Sequence, residues 1–113
     1  KYGEDLPPSP LKGTETIVHI SKVRDLLAEG EEMAHCVGGY VERVMNGDVY
    51  MYRVYEPERA TMEVERVSDG KFRIVQVKLY KNGDVSNNTL MLLKSWVINN
   101  QCNVDDQNYE IIL

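Results

Sequence analysis

The middle of the chain alternates between hydrophobic and polar residues with a period of two. Three such runs, residues 49–55, 60–67 and 72–80, are rich in β-branched and aromatic side chains and are separated by short polar segments. Alternation of this kind is typical of half-buried strands, and short connections join antiparallel neighbours. The pattern therefore predicts an antiparallel meander, which residues 14–20 and 109–113 extend to as many as five strands.

Helical spacing of apolar residues marks three further segments. Residues 22–29, 32–45 and 88–99 carry apolar residues at intervals of three to four positions. Ser21 is a favourable N-cap for the first helix, and Gly30 is a natural end for it. The second helix contains a glycine pair, where it can be broken.

These elements predict an α+β fold: a short N-terminal strand and two helices, an antiparallel meander sheet of three to five strands, and a C-terminal helix packed on one sheet face. Trp96 lies on the apolar side of that last helix and is expected to be buried against the sheet. Residues 1–13 contain three of the four prolines, so we expect them to form a linker or arm. Residues 14–113 then form a single domain.

Charge, hydropathy and cysteine usage indicate which partners and which location to expect for the protein. The formal net charge of -5 argues against broad binding to duplex nucleic acid, which requires clustered positive charge. Residues 71–81 nevertheless contain four cations that can form a local basic site. No apolar run reaches the length of a membrane span, so no membrane contact is expected. Two cysteines make a poor disulfide framework, and a cytoplasmic location is expected.

One stretch combines residue types that a plain helix avoids. Residues 29–40 place His35 beside Cys36, and a glycine pair and then Tyr40 follow. Two adjacent glycines weaken a helix by up to about 1 kcal/mol each relative to alanine. We therefore interpret this stretch as the lip of a site.

The residue spacing favours acid–base chemistry over a reactive cysteine or a metal. Neighbours on a helix point about 100° apart, so His35 is badly placed to deprotonate Cys36, which is expected to pack inward. The cysteines and histidines also lack the spacing of a zinc site. No metal and no cofactor is predicted.

Turn positions predict which residues face each other in the sheet. Direct pairing across the Asp-Gly turn places Glu63 opposite Gln76. Direct pairing across the preceding turn places Arg53 opposite Glu63, with Thr61 on the same face. Two interpretations of this row remain open. It is either a solvated cross-strand ion pair worth roughly 0.2–1 kcal/mol, or a polar floor beneath the histidine helix.

The order of these residues resembles the PcfJ-like family. The resemblance starts with the run EG-x-x-M-x-HCVGGY and continues with an arginine on a strand, T-x-E, a glutamine and an asparagine, so that it covers residues 17–96. One departure is Leu79, where family members tend to have glycine. In this sequence the family pattern falls on Glu29, Gly30, Met33, His35, Cys36, Val37, Tyr40, Arg53, Thr61, Glu63, Gln76 and Asn82.

The resemblance implies a C-terminal domain of a longer bacterial protein associated with conjugative plasmids, phages or other mobile elements. Together with the residue chemistry, it gives two sets of site residues. His35 and Glu63 are the candidates for proton transfer, and Arg53 is the candidate for stabilising charge. The residues expected to bind or orient a ligand are Cys36, Tyr40, Thr61, Gln76 and Asn82.

Two functions of different classes fit this set. The first is an enzyme that acts on nucleic acid, as ribonucleases and other phosphodiesterases do. The second is a noncatalytic binding or interaction module of a larger protein. The expected partners are therefore a nucleic acid or nucleotide and the remaining part of a longer chain. The sequence alone leaves open whether the protein is an enzyme.

Overall fold

The structure, a computed structural model, describes residues 3–35 and 38–104. Its elements follow the predicted α+β order, and the predicted fold class is confirmed. The predicted strand over residues 109–113 lies outside the described residues. A 3-10 turn, Tyr80–Asn82, precedes the last helix. The strands and α-helices are β1 (Ile17–His19), α1 (Val23–Met33), α2 (Gly38–Met45), β2 (Val49–Val54), β3 (Ala60–Ser68), β4 (Lys71–Lys78) and α3 (Asn87–Val104).

The four described strands form one antiparallel sheet in the order β1-β2-β3-β4, so each strand pairs with its neighbour in sequence. This is the predicted meander. β1 is shorter than the predicted run over residues 14–20 because Thr14 and Ile17 close a turn. The Thr14 N–H donates to the Ile17 carbonyl over 2.8 Å, and the Thr14 hydroxyl accepts from the Ile17 N–H over 3.0 Å.

The sheet separates two hydrophobic clusters, and each uses alternate residues of the strands. On one face, Tyr52 and Met62 pack with Trp96 of α3. On the other face, Met51 packs with Leu26 of α1, in a cluster that also includes residues of α2. Alternate strand residues point to opposite faces, so the structure has three layers, with a helix layer on each side of the sheet.

Residues 3–13 pack against both clusters. Leu6 is buried with the α1 and α2 side chains, and Leu11 is buried in the α3 cluster. The Leu6 N–H also donates to the Ser21 carbonyl over 2.7 Å. The described part of the arm, residues 3–13, therefore belongs to the packed structure. The division into an arm over residues 1–13 and a domain over residues 14–113 stays a prediction.

α1 differs from its predicted bounds at both ends. It begins after Lys22, whose side chain makes no capping hydrogen bond, so the predicted N-cap at Ser21 is wrong. It also continues through Gly30, because Met33 at its last position is buried and anchors the final turn. A single glycine inside a helix costs roughly 1 kcal/mol, and burial of the methionine outweighs that cost.

α2 is shorter than the predicted helix over residues 32–45. The first residues of that range belong to α1, and Ala34 then adopts the left-handed conformation with φ 55°. L-residues do not continue a helix from that conformation, so the two helices are separate. No helix within the described residues is long and apolar enough to cross a membrane.

Candidate functional site

A cavity of about 280 Å³ opens between the α1–α2 connection and the sheet. Its volume lies just below the roughly 300–1,000 Å³ of ordinary small-molecule pockets. Of the eight residues predicted for the site, the cavity brings together six, while Arg53 lies elsewhere and Cys36 lies outside the described residues. The roles of all eight stay predictions. The cavity is lined by His35, Tyr40, Met51, Thr61, Glu63, Gln76, Lys78 and Asn82.

The end of α1 fixes the position of His35. The Ala34 N–H donates to the Glu31 carbonyl over 3.3 Å, and the His35 N–H donates to the Gly30 carbonyl over 2.8 Å. This pair of hydrogen bonds around a left-handed residue is a Schellman motif. The prediction that His35 projects from a helix is therefore wrong, since it follows the helix end and reaches the cavity from the connecting segment.

The imidazole of His35 has no hydrogen-bond partner within residues 3–35 and 38–104. Neither Nδ1 nor Nε2 makes a hydrogen bond to any described residue, and both atoms are shielded from solvent. Buried polar atoms are hydrogen-bonded in the great majority of cases, so each exception requires an explanation. A ligand in the cavity that His35 lines can provide the missing partner.

Glu63, Gln76 and Tyr40 form a connected polar group on the cavity wall. The Gln76 Nε2 donates to Glu63 Oε1 over 2.9 Å and to the Tyr40 hydroxyl oxygen over 2.6 Å. Glu63 is only 1% exposed, although it lies on the face that lines the cavity. The amide therefore orients both the carboxylate and the phenol.

Arg43 is the cationic partner of Glu63. Its Nη1 lies 3.2 Å from Glu63 Oε2, and its guanidinium carbon lies 5.8 Å from the centre of the Tyr40 ring. The sequence interpretation missed this arginine, although Tyr40 and Arg43 are three residues apart and share one side of α2. The side chain of Arg43 is 46% exposed and its guanidinium reaches solvent, whereas the carboxylate that it pairs with is buried.

The predicted ion pair between Arg53 and Glu63 is wrong. Arg53 pairs with Thr61 in the sheet, and Glu63 faces Met51, which is a shift of two residues from the predicted register. A shift of two keeps both side chains on one face of the sheet. Arg53 instead directs its Nε to Glu29 Oε1 over 3.1 Å.

Glu29 is the centre of a buried charge network beside the cavity. Its side chain is 0% exposed and receives two hydrogen bonds from Arg59, over 2.9 Å and 2.5 Å. The Thr61 hydroxyl donates to Glu29 Oε2 over 2.5 Å, and Arg53 completes the set. The hydrogen bonds to Glu29 raise the pKa of Arg59 above its ordinary value, so this guanidinium stays charged. The network holds α1 against β2 and β3 and reaches the cavity through Thr61.

The end of β4 and the turn that follows it also contribute residues to the cavity wall. Lys78 lines the cavity and its ammonium lies 2.7 Å from Asp84, while Asn82 lines it from the far side of the turn. Asn82 has φ 63°, a left-handed conformation that asparagine tolerates better than most residues. The sequence interpretation counted Lys78 among the four cations of a local basic site but did not join it to the predicted site residues, although it follows Gln76 by two positions on the same strand face.

A protein-family model described as PcfJ-like protein matches residues 11–91, well over half of the chain. The chain belongs to the PcfJ-like family. The match includes every residue proposed above for the site and the turn that follows β4. No curated protein and no solved structure matches this PcfJ-like domain.

The chemistry that the PcfJ-like site can perform follows from its donors and acceptors. Within the described residues, no group of three or more His, Cys, Asp or Glu side chains is arranged to hold a metal ion. The cavity instead combines an imidazole that has no partner in the described part of the chain, an oriented carboxylate and a lysine. Such a set can accept a proton, donate a proton and balance the charge of an anionic ligand.

Proposed function

We propose that this PcfJ-like domain carries an acid–base site that cleaves phosphodiester bonds of nucleic acid. We further propose that it belongs to a protein of a bacterial mobile element, such as a plasmid or phage. The observation that supports the cleavage proposal is the imidazole of His35, whose two ring nitrogens lack partners among the described residues at a cavity shared with Glu63. Unsatisfied imidazole nitrogens cost free energy, and a substrate that binds them recovers that cost.

Each residue has a specific part in the proposed reaction. The Glu63 carboxylate accepts the proton of the attacking hydroxyl group, whose oxygen forms a new bond to phosphorus. The bond from phosphorus to the leaving oxygen breaks, and His35 in its imidazolium form donates a proton to that oxygen. The ammonium of Lys78, rather than Arg53, stabilises the charge on the phosphoryl oxygens, because Lys78 lines the cavity and Arg53 does not.

Noncatalytic binding is the second candidate function. One observation favours it: both oxygens of Glu63 already face partners, Gln76 at Oε1 and Arg43 at Oε2. A carboxylate engaged in this way can serve to orient Gln76 toward a ligand without moving a proton. The domain would then hold a nucleotide, a strand end or a peptide for the rest of a longer chain.

Activity of the full-length protein on short RNA and DNA oligonucleotides separates the two functions. Under the enzyme proposal, His35→Ala and Glu63→Gln each lower the cleavage rate by about 10²–10⁴-fold. A suitable control is Glu65→Gln, because Glu65 lies on the same strand and pairs with the exposed Arg73. Thermal unfolding of each variant checks that the fold is retained.

Three outcomes of this experiment are informative. Cleavage by the wild type that both site variants lose supports the enzyme. Binding without cleavage, weakened by His35→Ala, replaces the enzyme with the binding module. Wild-type protein that neither binds nor cleaves RNA or DNA contradicts the nucleic-acid proposal altogether.

A further inference from the structure

An exposed tyrosine lies in the chain between two residues that line the cavity. Tyr80 is 57% exposed and lies in the turn between Lys78 and Asn82, both of which line the cavity. Because consecutive Cα atoms are 3.8 Å apart, the Tyr80 Cα lies within roughly 8 Å of the Cα of each of these residues. A ligand that fills the cavity can therefore extend onto the tyrosine.

The turn that carries this ring is held in place by its backbone. The Leu79 N–H donates to the Gly83 carbonyl over 2.7 Å, and the Gly83 N–H donates to the Tyr80 carbonyl over 3.2 Å. Within the turn, Lys81 has φ 55°, a conformation that costs a non-glycine residue roughly 1–2 kcal/mol. Such strain persists only where surrounding interactions over-determine it, and it is concentrated at functional sites.

The side chains of the turn match the chemistry of a nucleotide. An exposed aromatic ring stacks with any base, because every base has a π-face. The Lys81 ammonium lies 5.6 Å from the centre of the Tyr80 ring, where it can also contact a phosphate. Asn82 adds an amide that can hydrogen-bond a base edge.

From this arrangement we infer that the turn selects single-stranded nucleic acid by stacking an unpaired base on Tyr80, next to the phosphate in the cavity. The inference rests on the proposed function and adds the substrate class to it. A duplex keeps its bases stacked inside, so it has no base to offer the ring. The net charge of -5 also disfavours the broad electrostatic contact through which a duplex binds.

The inference is tested by comparing how the full-length protein cleaves an intact strand and a strand that lacks one base. The probes are a single-stranded oligonucleotide, the same strand with one abasic position beside the cleaved bond, and the corresponding duplex. Tyr80→Ala is expected to raise KM for the intact single strand by roughly 5- to 100-fold, with little change in kcat. Tyr80→Phe should restore most of the loss, because the ring is retained. Tyr55→Ala, which removes another exposed tyrosine, is the control.

The abasic strand distinguishes stacking from a structural role of the turn. Tyr80→Ala should leave its KM nearly unchanged, because there is no base to stack. An equal loss on the intact and abasic strands would overturn the inference, as would a duplex cleaved as well as the single strand. If the wild type cleaves the intact strand and Tyr80→Ala does so equally well, the inference fails while the proposed function stands. If the wild type acts on none of the probes, the proposed function fails and the inference falls with it.

Discussion

Glu63 and Gln76 face each other across β3 and β4, and the Gln76 amide nitrogen lies 2.9 Å from Glu63 Oε1. The same amide nitrogen reaches the Tyr40 hydroxyl of α2 over 2.6 Å. Gln76 thus joins a buried carboxylate of the sheet to a helix on the other side of the cavity. A residue in that position affects both the stability of the fold and the geometry of the site.

Replacing Gln76 by alanine should destabilise the protein by about 1–3 kcal/mol. The substitution removes a donor from Glu63, and a buried acceptor that loses its partner bears most of its desolvation penalty. Urea unfolding measures the free energy. Val75→Ala is the control, because Val75 is an exposed neighbour on the same strand. Equal unfolding free energies for the two variants would show that the amide does not hold the carboxylate.

The pairing of Glu63 with Gln76 was predicted correctly from the turn, although the β3–β4 ladder between the turn and this pair is irregular. Direct pairing from the turn would place Val67 opposite Phe72, but Arg66 takes that position. One extra residue bulges from β3 there, and a second register shift at Val75 on β4 reverses it. Two bulges on opposite strands cancel, so a straight count reached the right pair. Their positions depend on side-chain packing that no local pattern reveals.

The register between β2 and β3 could not be predicted in the same way. The prediction had Tyr55 paired across the turn, whereas its N–H donates to the Thr16 carbonyl over 2.8 Å. Tyr55 therefore leaves the β2–β3 ladder, and the last pair of that ladder is Val54 with Ala60. This contact joins residues far apart in sequence. Periodicity predicted the strands and the sheet face that Arg53 and Glu63 share. The register between the strands, and with it the ion-pair partner of each residue, depends on long-range hydrogen bonds.

The buried charge network predicts a large effect at Glu29. The carboxylate is fully buried and pairs with both Arg53 and Arg59, so Glu29→Ala removes the buried partner of two guanidinium groups. Removing one partner of a buried ion pair typically costs 3–5 kcal/mol, and we expect a loss of about that size in the free energy of unfolding. The sequence had placed Arg53 opposite Glu63, but the partner of Glu63 is the half-exposed Arg43.

Glu32 provides a matched control for Glu29. It also pairs with Arg59, over 2.8 Å, but its side chain is 62% exposed. Exposed ion pairs contribute about 0–1 kcal/mol, so Glu32→Ala should change stability by no more than that. Thermal and urea unfolding of both variants compare the two sites. Similar losses for Glu29→Ala and Glu32→Ala would contradict the central role of Glu29.

Trp96 was predicted to be buried against the sheet, and the structure confirms it. Its ring meets Tyr52 edge-on with ring centres 5.1 Å apart, and its Nε1 donates to the Lys12 carbonyl over 3.1 Å. Trp96→Ala should therefore cost about 3–5 kcal/mol in unfolding free energy. Ile98→Ala removes an exposed side chain of the same helix and should change stability by no more than about 0.5 kcal/mol. A small effect at Trp96 would mean that the ring does not anchor α3.

The hydrogen bond of Trp96 can be tested separately. Trp96→Phe keeps an aromatic ring against Tyr52 and removes the donor to Lys12. A net hydrogen bond contributes about 0.5–1.5 kcal/mol, so this variant should lose less than the alanine variant. If both variants were equally destabilised, the hydrogen bond from Trp96 to Lys12 would contribute more to stability than the packing of the ring.

The stability of the fold should fall as the pH is lowered below about 6.5, because of His19. Its ring packs against those of Tyr50 and Tyr52, with centres 6.4 and 5.5 Å away, and burial lowers its pKa below the ordinary value of 6.5. Above pH 6.5 the ring is neutral in both states. Below it, the unfolded chain binds the proton more readily, so stability declines until the pH passes the folded pKa.

Unfolding free energies between pH 7.5 and 5.5 measure this decline. A single proton gives a slope of at most about 1.4 kcal/mol per pH unit, and part-exposure of the ring keeps the observed slope below that limit. The measurement should be made in a His35→Gln background, because the chain has two histidines and this substitution leaves only His19 to titrate as a histidine. His19→Phe should then flatten the profile while keeping the ring contacts to the tyrosines. An equally steep decline in the phenylalanine variant would assign the pH dependence to the carboxylates instead of to His19.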